Sequence, residues 1–292
     1  MADALKVQGY ETHFLLSGEH SSYYDMRAKY GAGVDVYMDG EGKSVESGDD
    51  QVMLRALEAT RWSTTQPTFL FMHLMAVHSL GRHLPAYQRW GRPGASLFSA
   101  MRGPVVRAND YRDRYLNGIL QVDDEIRQIF ELLEHAGVLR DALVVITADH
   151  GEYLGEFGRF GHEYWPYEPV VRIPLLIYDQ TGATYPTRAL TSQVDIAPTF
   201  LHAIGAPLPE SWVGEPLQYA SDRRAVIVGS IEVAGIVEQV GTRRYKYLRH
   251  RNTGQESLFE LTADPHEQRN VLTDPSLAGI LASLRARSRL IH

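Results

Sequence analysis

Short, continuous apolar runs alternate with amphipathic segments along most of the chain. Runs of this kind, rich in Val, Ile, Leu and Phe, are typical of strands that are buried on both faces of a sheet. They lie at residues 11–16, 67–75, 143–147 and 175–178. We therefore predict a sheet whose strands are separated by helices.

The longest amphipathic segment has apolar residues at spacings of three and four. These positions are Tyr111, Tyr115, Ile119, Val122, Ile126, Ile129 and Leu133. The spacing places them on one face of an α-helix, and Gly137 is suited to end that helix. Shorter helices are predicted at residues 2–8, 49–62 and 195–204, and a capped helix begins near Ser22.

The order of these elements predicts an α/β fold, a three-layer α/β/α sandwich with a mostly parallel central sheet. After Pro216 the pattern changes to short strands with turn signals, which predicts a small antiparallel sheet. We expect residues 1–218 to form the α/β domain, and residues 219–292 to form antiparallel strands and a tail helix. Residues 80–104 lack a clear period and are predicted to be a loop.

Composition narrows the classes of function. The 292-residue chain is 44% hydrophobic, enough for a substantial core, and its net charge of -7 argues against a nucleic-acid-binding protein. Lys246 belongs to a short basic patch on a predicted strand. No apolar run is long enough to span a membrane and the first residues lack a secretion signal, so we expect a soluble, cytoplasmic chain.

The predicted strand at residues 143–147 leads directly into Asp149-His150-Gly151. A carboxylate and an imidazole at the carboxyl end of a strand are suited to bind one metal ion, and glycine allows the turn that brings them together. The alternative is that Asp149 only caps a helix. Because the chain contains no cysteine, any metal must be held by oxygen or histidine ligands.

Three longer motifs resemble the sulfatase branch of the alkaline phosphatase superfamily. They are Thr147-Ala148-Asp149-His150-Gly151-Glu152 with Gly161-His162 and the stretch from Tyr167 to Tyr178, then Thr191 to Leu201, then Leu258 to Val271. The resemblance covers nearly the whole chain. It implies a sulfatase-like fold and a metal-dependent hydrolase of sulfate or phosphate esters.

The resemblance also implies roles for individual residues. Asp149 and His150 would be metal ligands for one divalent ion, with Ca, Mn and Zn all open. His162 takes the place of a lysine that contacts the transferred group in many sulfatases, and His78 matches a histidine that faces the ester oxygens. The alternative for His78 is a satisfied polar group beside a strand.

Other polar residues are weaker candidates. His20, Tyr23 and Arg27 could meet an anion at a helix start. Glu152 could orient a ligand, although an acidic residue near a helix start has a simpler explanation in the helix dipole. Asp195 is predicted to be a structural N-cap.

The family's attacking group is expected before the first predicted helix. That group is a formylglycine made from Cys or Ser in a C/S-x-P-x-R motif, or a Thr or Ser, so we expect the nucleophile segment to lie upstream of Met1. Thr184 to Arg188 fits T-x-P-x-R, but it lies between the wrong elements and a proline turn explains it.

Two rival functions remain open at this point. One is a truncated, non-catalytic relative that keeps the fold, and the other is a phosphoryl-transferring relative similar to phosphoethanolamine transferases. In the leading hypothesis the partner is a small sulfate or phosphate ester, with no nucleic acid and no membrane segment. Oligomeric state leaves no signature in the sequence.

Overall fold

The structure is a computed structural model that describes residues 1–18, 28–29, 34–39, 49–78, 81–91, 108–162 and 165–288. It divides the chain into an amino-terminal unit, Met1–Ala142, and a carboxy-terminal unit, Leu143–His292. The predicted helix near Ser22 lies outside the described residues. The predicted boundary between residues 218 and 219 stays a prediction.

The amino-terminal unit contains a parallel three-stranded sheet. Its elements in chain order are α1 (Ala2–Val7), β1 (Glu11–Leu16), β2 (Val36–Met38), α2 (Asp50–Glu58), β3 (Thr68–His73) and α3 (Ala108–His135). The strand order is β2-β1-β3, and β1 is parallel to both neighbours. Residues 12–16 of β1 are buried, as a central strand requires. The predicted parallel sheet is confirmed for these strands.

The buried face of α3 differs from the predicted apolar stripe. Tyr111, Ile129 and Leu133 are buried as predicted, but Ile119 is 44% exposed. The face also buries three polar residues, Asn117, Gln121 and Glu125. The physical reason is that this face meets a loop whose backbone N–H and C=O groups need partners.

Hydrogen bonds hold that loop, residues 81–90, against α3. Asn117 Oδ1 accepts from the N–H groups of Arg89 and Trp90, at 2.9 and 3.1 Å. Gln121 Oε1 accepts from the N–H of Leu84 at 2.8 Å. The described part of the predicted 80–104 loop is therefore fixed to the helix, and residues 92–107 lie outside the described residues.

The carboxy-terminal unit begins with the strand that carries the Asp149-His150 motif. Its elements are β4 (Leu143–Thr147), β5 (Tyr153–Leu154), β6 (Phe160–Gly161), α4 (Glu168–Val171), β7 (Leu175–Asp179), α5 (Ile196–Ala203), β8 (Ala225–Gly229), β9 (Val233–Val240), β10 (Arg243–His250), β11 (Glu256–Glu260) and α6 (Ala278–Ser288). β4 pairs with β7 in antiparallel orientation. The α/β class is confirmed, whereas strand direction at this pair departs from the parallel majority because alternation predicts element order and not direction.

The last four strands form one antiparallel sheet in the order β11-β10-β9-β8, as the sequence predicts. One face packs Val237, Leu248 and Phe259 against Trp165. The other face packs residues of β9, β10 and β11 against α6. These buried residues are Ile236, Tyr245, Tyr247, Leu258, Leu281 and Leu284. Both faces are covered, so β10 is buried on both sides along its centre.

Candidate functional site

The Asp149-His150 turn follows β4 and packs directly on the backbone of α4. Gly151 donates its N–H to the carbonyl oxygen of Val170 at 2.7 Å. A Cβ atom at Gly151 would collide with the carbonyl oxygen of Pro169. Glycine is therefore required here by close approach of two backbones, and α4 fixes the position of the turn.

Asp149 and His150 direct two lone-pair atoms towards the same place. His150 Nδ1 lies 2.9 Å from the carbonyl oxygen of Gly151, which can only accept, so Nδ1 carries the hydrogen. His150 Nε2 then has the lone pair, and it lies 3.5 Å from Asp149 Oδ2. The Asp149 side chain is 68% exposed and that of His150 34%. Both side chains are therefore partly exposed to solvent.

A hairpin returns the chain to this turn and places His162 beside it. β5 pairs with β6, with Tyr153 opposite Gly161, and Gly161 has a φ of +82°. The ring centroids of His150 and His162 lie 4.1 Å apart. This hairpin explains how a residue twelve positions along the sequence joins Asp149 and His150.

Glu152 lies beneath His162. Its side chain is only 7% exposed, and its Oε1 lies 3.3 Å from His162 Nδ1. A carboxylate accepts hydrogen bonds, so this contact places a hydrogen on Nδ1 and leaves Nε2 to face away from Glu152. This geometry fits the role that the sequence suggested for Glu152, which is to orient a functional side chain.

Sequence reasoning missed Gln193, which holds the turn from the start of α5. Its Nε2 donates to the carbonyl oxygens of Ala148 and Asp149, at 2.9 and 2.6 Å. Gln193 lies in the motif that resembles the family helix, and its polar side chain between Ser192 and Val194 was the available signal. The turn is thus fixed from α4 and from α5.

His78 belongs to the amino-terminal unit, whereas Asp149, His150 and His162 lie together in the carboxy-terminal unit. His78 follows β3 in a tight turn: its N–H donates to Met75 O, and its own carbonyl accepts from Gly81 N, both at 2.9 Å. The side chain is half-buried. Its predicted position just past a strand is confirmed, and its role stays a prediction.

A buried carboxyl group, Asp50, holds the turn that precedes His78, and a second, Glu125, is its neighbour. Asp50 accepts from the N–H groups of Met75 and Ala76, both at 2.8 Å. Glu125 of α3 accepts from Gln121 and Gln51, at 2.9 and 3.2 Å. Burial and the neighbouring Asp50 charge raise the pKa of Glu125 to about 8, and burial raises the pKa of Asp50. We call these residues the Asp50–Glu125 pair.

Asp195 stands at the predicted N-cap position of α5, but its side chain caps the short turn before that helix, in a capping box with Ser192. Its side chain makes no capping bond at the start of α5. It is buried and accepts from the N–H groups of Ser192 and Glu215, both at 2.9 Å, and pairs with Arg223 at 2.6 Å. Asp195 therefore ties α5 to the segment that leads into β8.

The remaining sequence candidates divide between structural residues and residues outside the description. Arg188, which ends the T-x-P-x-R segment, donates to the carbonyl oxygens of Pro216 and Tyr219. Those bonds give it a structural role. His20, Tyr23 and Arg27 lie outside the described residues.

Asp149 and His150 form a two-residue arrangement. Within the described ranges, no group of three or more His, Cys, Asp or Glu side chains could hold a metal ion. Their 3.5 Å separation is close to the distance of about 3.4 Å between two ligands bound at about 2.1 Å in a tetrahedral site. The pair therefore fits two positions of a coordination sphere. Among the same residues, no helix has the length and apolar character of a membrane span.

Comparisons with a family model and with known proteins agree on one family. The sulfatase family model matches residues 1–206. A multifunctional alkaline phosphatase superfamily protein, PehA, from Trinickia caryophylli is 27% identical over 254 residues, which cover 74% of this chain and 48% of PehA. An N-acetylglucosamine-6-O-sulfatase from Bacteroides thetaiotaomicron is 28% identical over 65% of this chain and 36% of its own length. The chain spans about half or less of these relatives.

A solved structure supports the fold over the full chain. It is that of BT4656 in complex with its substrate D-glucosamine-2-N,6-O-disulfate, with a TM-score of 0.77 and 18% sequence identity. The match covers 99% of this chain and 80% of that structure. At this identity the likeness shows the fold alone.

Proposed function

Because the chain belongs to the sulfatase family, we propose that it acts in the metal-dependent hydrolysis of sulfate esters. The observation that supports this most is the convergence of Asp149 Oδ2 and His150 Nε2 at 3.5 Å on an accessible surface. Two lone-pair atoms so close repel each other unless a proton or a cation lies between them. A divalent cation satisfies both.

Asp149 and His150 would hold one divalent ion, with calcium, manganese and zinc as the alternatives. When bound, such an ion polarises an ester oxygen and lowers the pKa of an oxygen nucleophile. The chain's own contribution is orientation. The Gly151 carbonyl fixes the His150 tautomer, and Gln193 fixes the backbone on either side of Asp149.

His162 is proposed to contact the transferred group. Glu152 orients the ring through Nδ1, and in the protonated ring Nε2 also carries a hydrogen, which it donates to an ester oxygen. A protonated imidazole in this place would stabilise negative charge on that oxygen, as the lysine of many sulfatases is expected to do. His78 is proposed for a similar contact from the amino-terminal unit.

No residue of this chain is proposed as the attacking group. The sequence contains no cysteine, and Arg188 of the T-x-P-x-R segment is bound to backbone carbonyls. For the chain alone we therefore expect metal-dependent binding of the ester with little or no turnover. Covalent catalysis needs the nucleophile and the metal ligands as a unit.

Calorimetric titration of the chain with p-nitrophenyl sulfate, with and without Mn²⁺, tests this proposal. We expect binding only in the presence of Mn²⁺, and loss of that binding in Asp149→Ala and His150→Ala. The same titration with p-nitrophenyl phosphate tests the phosphate alternative, and glucosamine 6-sulfate tests the class on which the two sulfated-sugar relatives act. Robust turnover that survives both substitutions would contradict the assignment.

A further inference from the structure

A buried ionic cluster in the carboxy-terminal unit joins three separate sequence motifs. Lys246 of β10 is fully buried, and its Nζ lies 3.1 Å from Glu168 Oε1 and 3.0 Å from Glu267 Oε1. Glu168 begins α4, and Glu267 lies in the closing Asp264-Pro265-His266-Glu267 motif. We call these three residues the Lys246 cluster. The predicted strand is confirmed for the basic patch, and its Lys246 is buried.

The cluster fixes the first turn of α4 through backbone as well as charge. Glu267 uses its second carboxylate oxygen, Oε2, to accept the N–H of Glu168. That N–H is one of the groups at a helix start that have no partner within the helix. Glu267 thus uses both carboxylate oxygens, Oε1 in the ion pair with Lys246 and Oε2 as acceptor of the α4 N–H.

The backbone of Glu267 supports a specific role for its side chain. Its φ is +53°, in the left-handed region that residues other than glycine seldom adopt. Asp264 holds this turn by accepting from the N–H groups of Gln268 and Arg269, at 3.1 and 2.8 Å. A strained backbone at a buried, charged residue is typical of a side chain held in one required position.

α4 in turn fixes the Asp149-His150 turn. Within its four residues, Pro169 leaves no space for a side chain at position 151, and Val170 accepts the N–H of Gly151. The helix has a single turn, too short to be stable by itself. Its position therefore depends on tertiary contacts, which are the burial of Val170 and, at its first residue, the Lys246 cluster.

We propose that the Lys246 cluster is a positioning device for Asp149 and His150, acting through α4 and the backbone of Gly151. This inference rests on the proposed function for the role of the two ligands, but the mechanical link can be tested without metal. Lys246, Glu168 and Glu267 are positioning residues, since none of them contacts the proposed ligands directly.

Glu267→Gln is the sharpest variant because it preserves shape. The site needs two acceptor oxygens, and an amide supplies one oxygen and one NH₂ group, so one of the two contacts must be lost. Glu256→Gln is the matched control. Glu256 also uses both carboxylate oxygens, with Arg285 and Tyr247 as its partners. It lies on β11, the strand next to β10.

Amide hydrogen exchange of Gly151, compared with that of Ile236 in the centre of β9, is the metal-independent measurement. We expect Gly151 exchange to become about tenfold faster relative to Ile236 in Glu267→Gln, and to stay unchanged in Glu256→Gln. In parallel we expect the Mn²⁺ dissociation constant to rise about tenfold in Glu267→Gln, since a lost outer contact costs metal affinity on that scale.

Unchanged Gly151 exchange in Glu267→Gln, or an equal rise in Glu256→Gln, would overturn the inference whatever the metal data show. Absence of Mn²⁺ binding in the unsubstituted chain would defeat the proposed function instead, and the exchange result would still decide the link. If Glu267→Gln does not reach the native fold, Glu168→Ala is the second variant. This variant removes the partly exposed carboxylate of the Lys246 cluster and leaves the charge of Lys246 neutralised by Glu267. Amide exchange of Gly151 should become about threefold faster.

Discussion

In the described part of each unit, a buried cluster of charged residues holds backbone next to a proposed site residue, but these two clusters neutralise their charge differently. In the amino-terminal unit, Asp50 of the Asp50–Glu125 pair holds the N–H groups of Met75 and Ala76 before His78. In the carboxy-terminal unit, the Lys246 cluster holds α4 against Gly151.

The difference lies in the counter-charge. No Lys or Arg forms an ion pair with Asp50 or Glu125 in the part of the chain that the structure describes, so a proton held by Glu125 has to offset the Asp50 charge. Burial raises the pKa of Glu125 to about 8 accordingly. Burial also raises the pKa of Glu267, but the Lys246 charge works against that rise. The stability that the Asp50–Glu125 pair contributes should therefore depend on pH, and the stability that the Lys246 cluster contributes should depend on its lysine.

Lys246→Met should have the largest effect. It leaves Glu168 and Glu267 close together without a cation, and breaking a buried pair in this way costs about 4 kcal/mol of unfolding free energy. Urea unfolding at neutral pH measures the loss. The control is Arg285→Met, which breaks a partly exposed pair with Glu256 and should cost about 1 kcal/mol. Equal losses would contradict the special role of the Lys246 cluster.

Glu125→Gln should remove a loss of stability that occurs in the unsubstituted protein as the pH rises. The unfolded chain releases this proton above about pH 4.5, whereas the folded protein keeps it until about pH 8. Stability contributed by the proton is therefore fully present below pH 4.5 and is lost as the pH rises to about 8. Gln cannot ionise and can still donate to Asp50, so at pH 8 the variant should be more stable than the unsubstituted protein by about 4 kcal/mol.

Urea unfolding between pH 6.5 and 9 measures this effect. Glu131→Gln, an exposed carboxylate on the same helix, is the control and should keep the unsubstituted pH profile. A Glu125→Gln profile that still falls between pH 6.5 and 8 would show that the pair does not depend on a shared proton.

Gly151→Ala tests the contact through which the Lys246 cluster is proposed to act. The new methyl group would collide with the Pro169 carbonyl, and such overpacking costs about 2 kcal/mol. We expect Mn²⁺ affinity to fall with it. Gly279→Ala in α6 is the control, because a Cβ there meets nothing within 4 Å. Thermal unfolding measures the stability of both variants, and Mn²⁺ titration measures their affinity for the ion.

His83→Gln should have the smallest effect on stability, and that effect should appear at acidic pH. His83 binds the Ala76 carbonyl at 2.6 Å, and burial lowers its pKa to about 4, with Arg114 adding to the shift. Its contribution is present above pH 6.5 and is lost as the pH falls to about 4. Gln keeps a donor and does not titrate, so the acid loss should shrink by about 1 kcal/mol, measured by urea unfolding.

Between about pH 4.5 and 6.5 the contributions of His83 and Glu125 change in opposite directions. In this window Glu125→Gln should therefore make the slope of stability against pH more positive, and His83→Gln should make it more negative. A variant that leaves the slope unchanged would show that its assignment is wrong.

Local patterns predicted the elements well and the buried charges poorly. β1 and β4 were predicted at their observed bounds, because continuous β-branched and apolar runs depend on neighbouring residues only. The Asp50–Glu125 pair joins residues far apart in the sequence, and no periodicity connects them. The polar face of α3 was missed for the same reason: Asn117 and Gln121 are buried because they bind a loop.

Lys246 shows the same limit on a strand. A lysine among arginines indicates a solvated face. Lys246 instead lies opposite Val237 and Phe259, on the face of the sheet that packs on Trp165. In the site, the Asp149-His150-Gly151 motif was recognisable because the residues are adjacent. Gln193 reaches the turn from α5, so its role depends on tertiary structure.

The central claim is that Asp149 and His150 bind one divalent ion. The most direct measurement is histidine-selective ¹⁵N NMR of the chain during a Mn²⁺ titration, with Asp149→Asn as the paired variant. We expect paramagnetic broadening of the His150 Nε2 signal first, then His162, and no such broadening in Asp149→Asn at the same Mn²⁺ concentration. Broadening that spares His150, or that is equal in Asp149→Asn, would contradict the account.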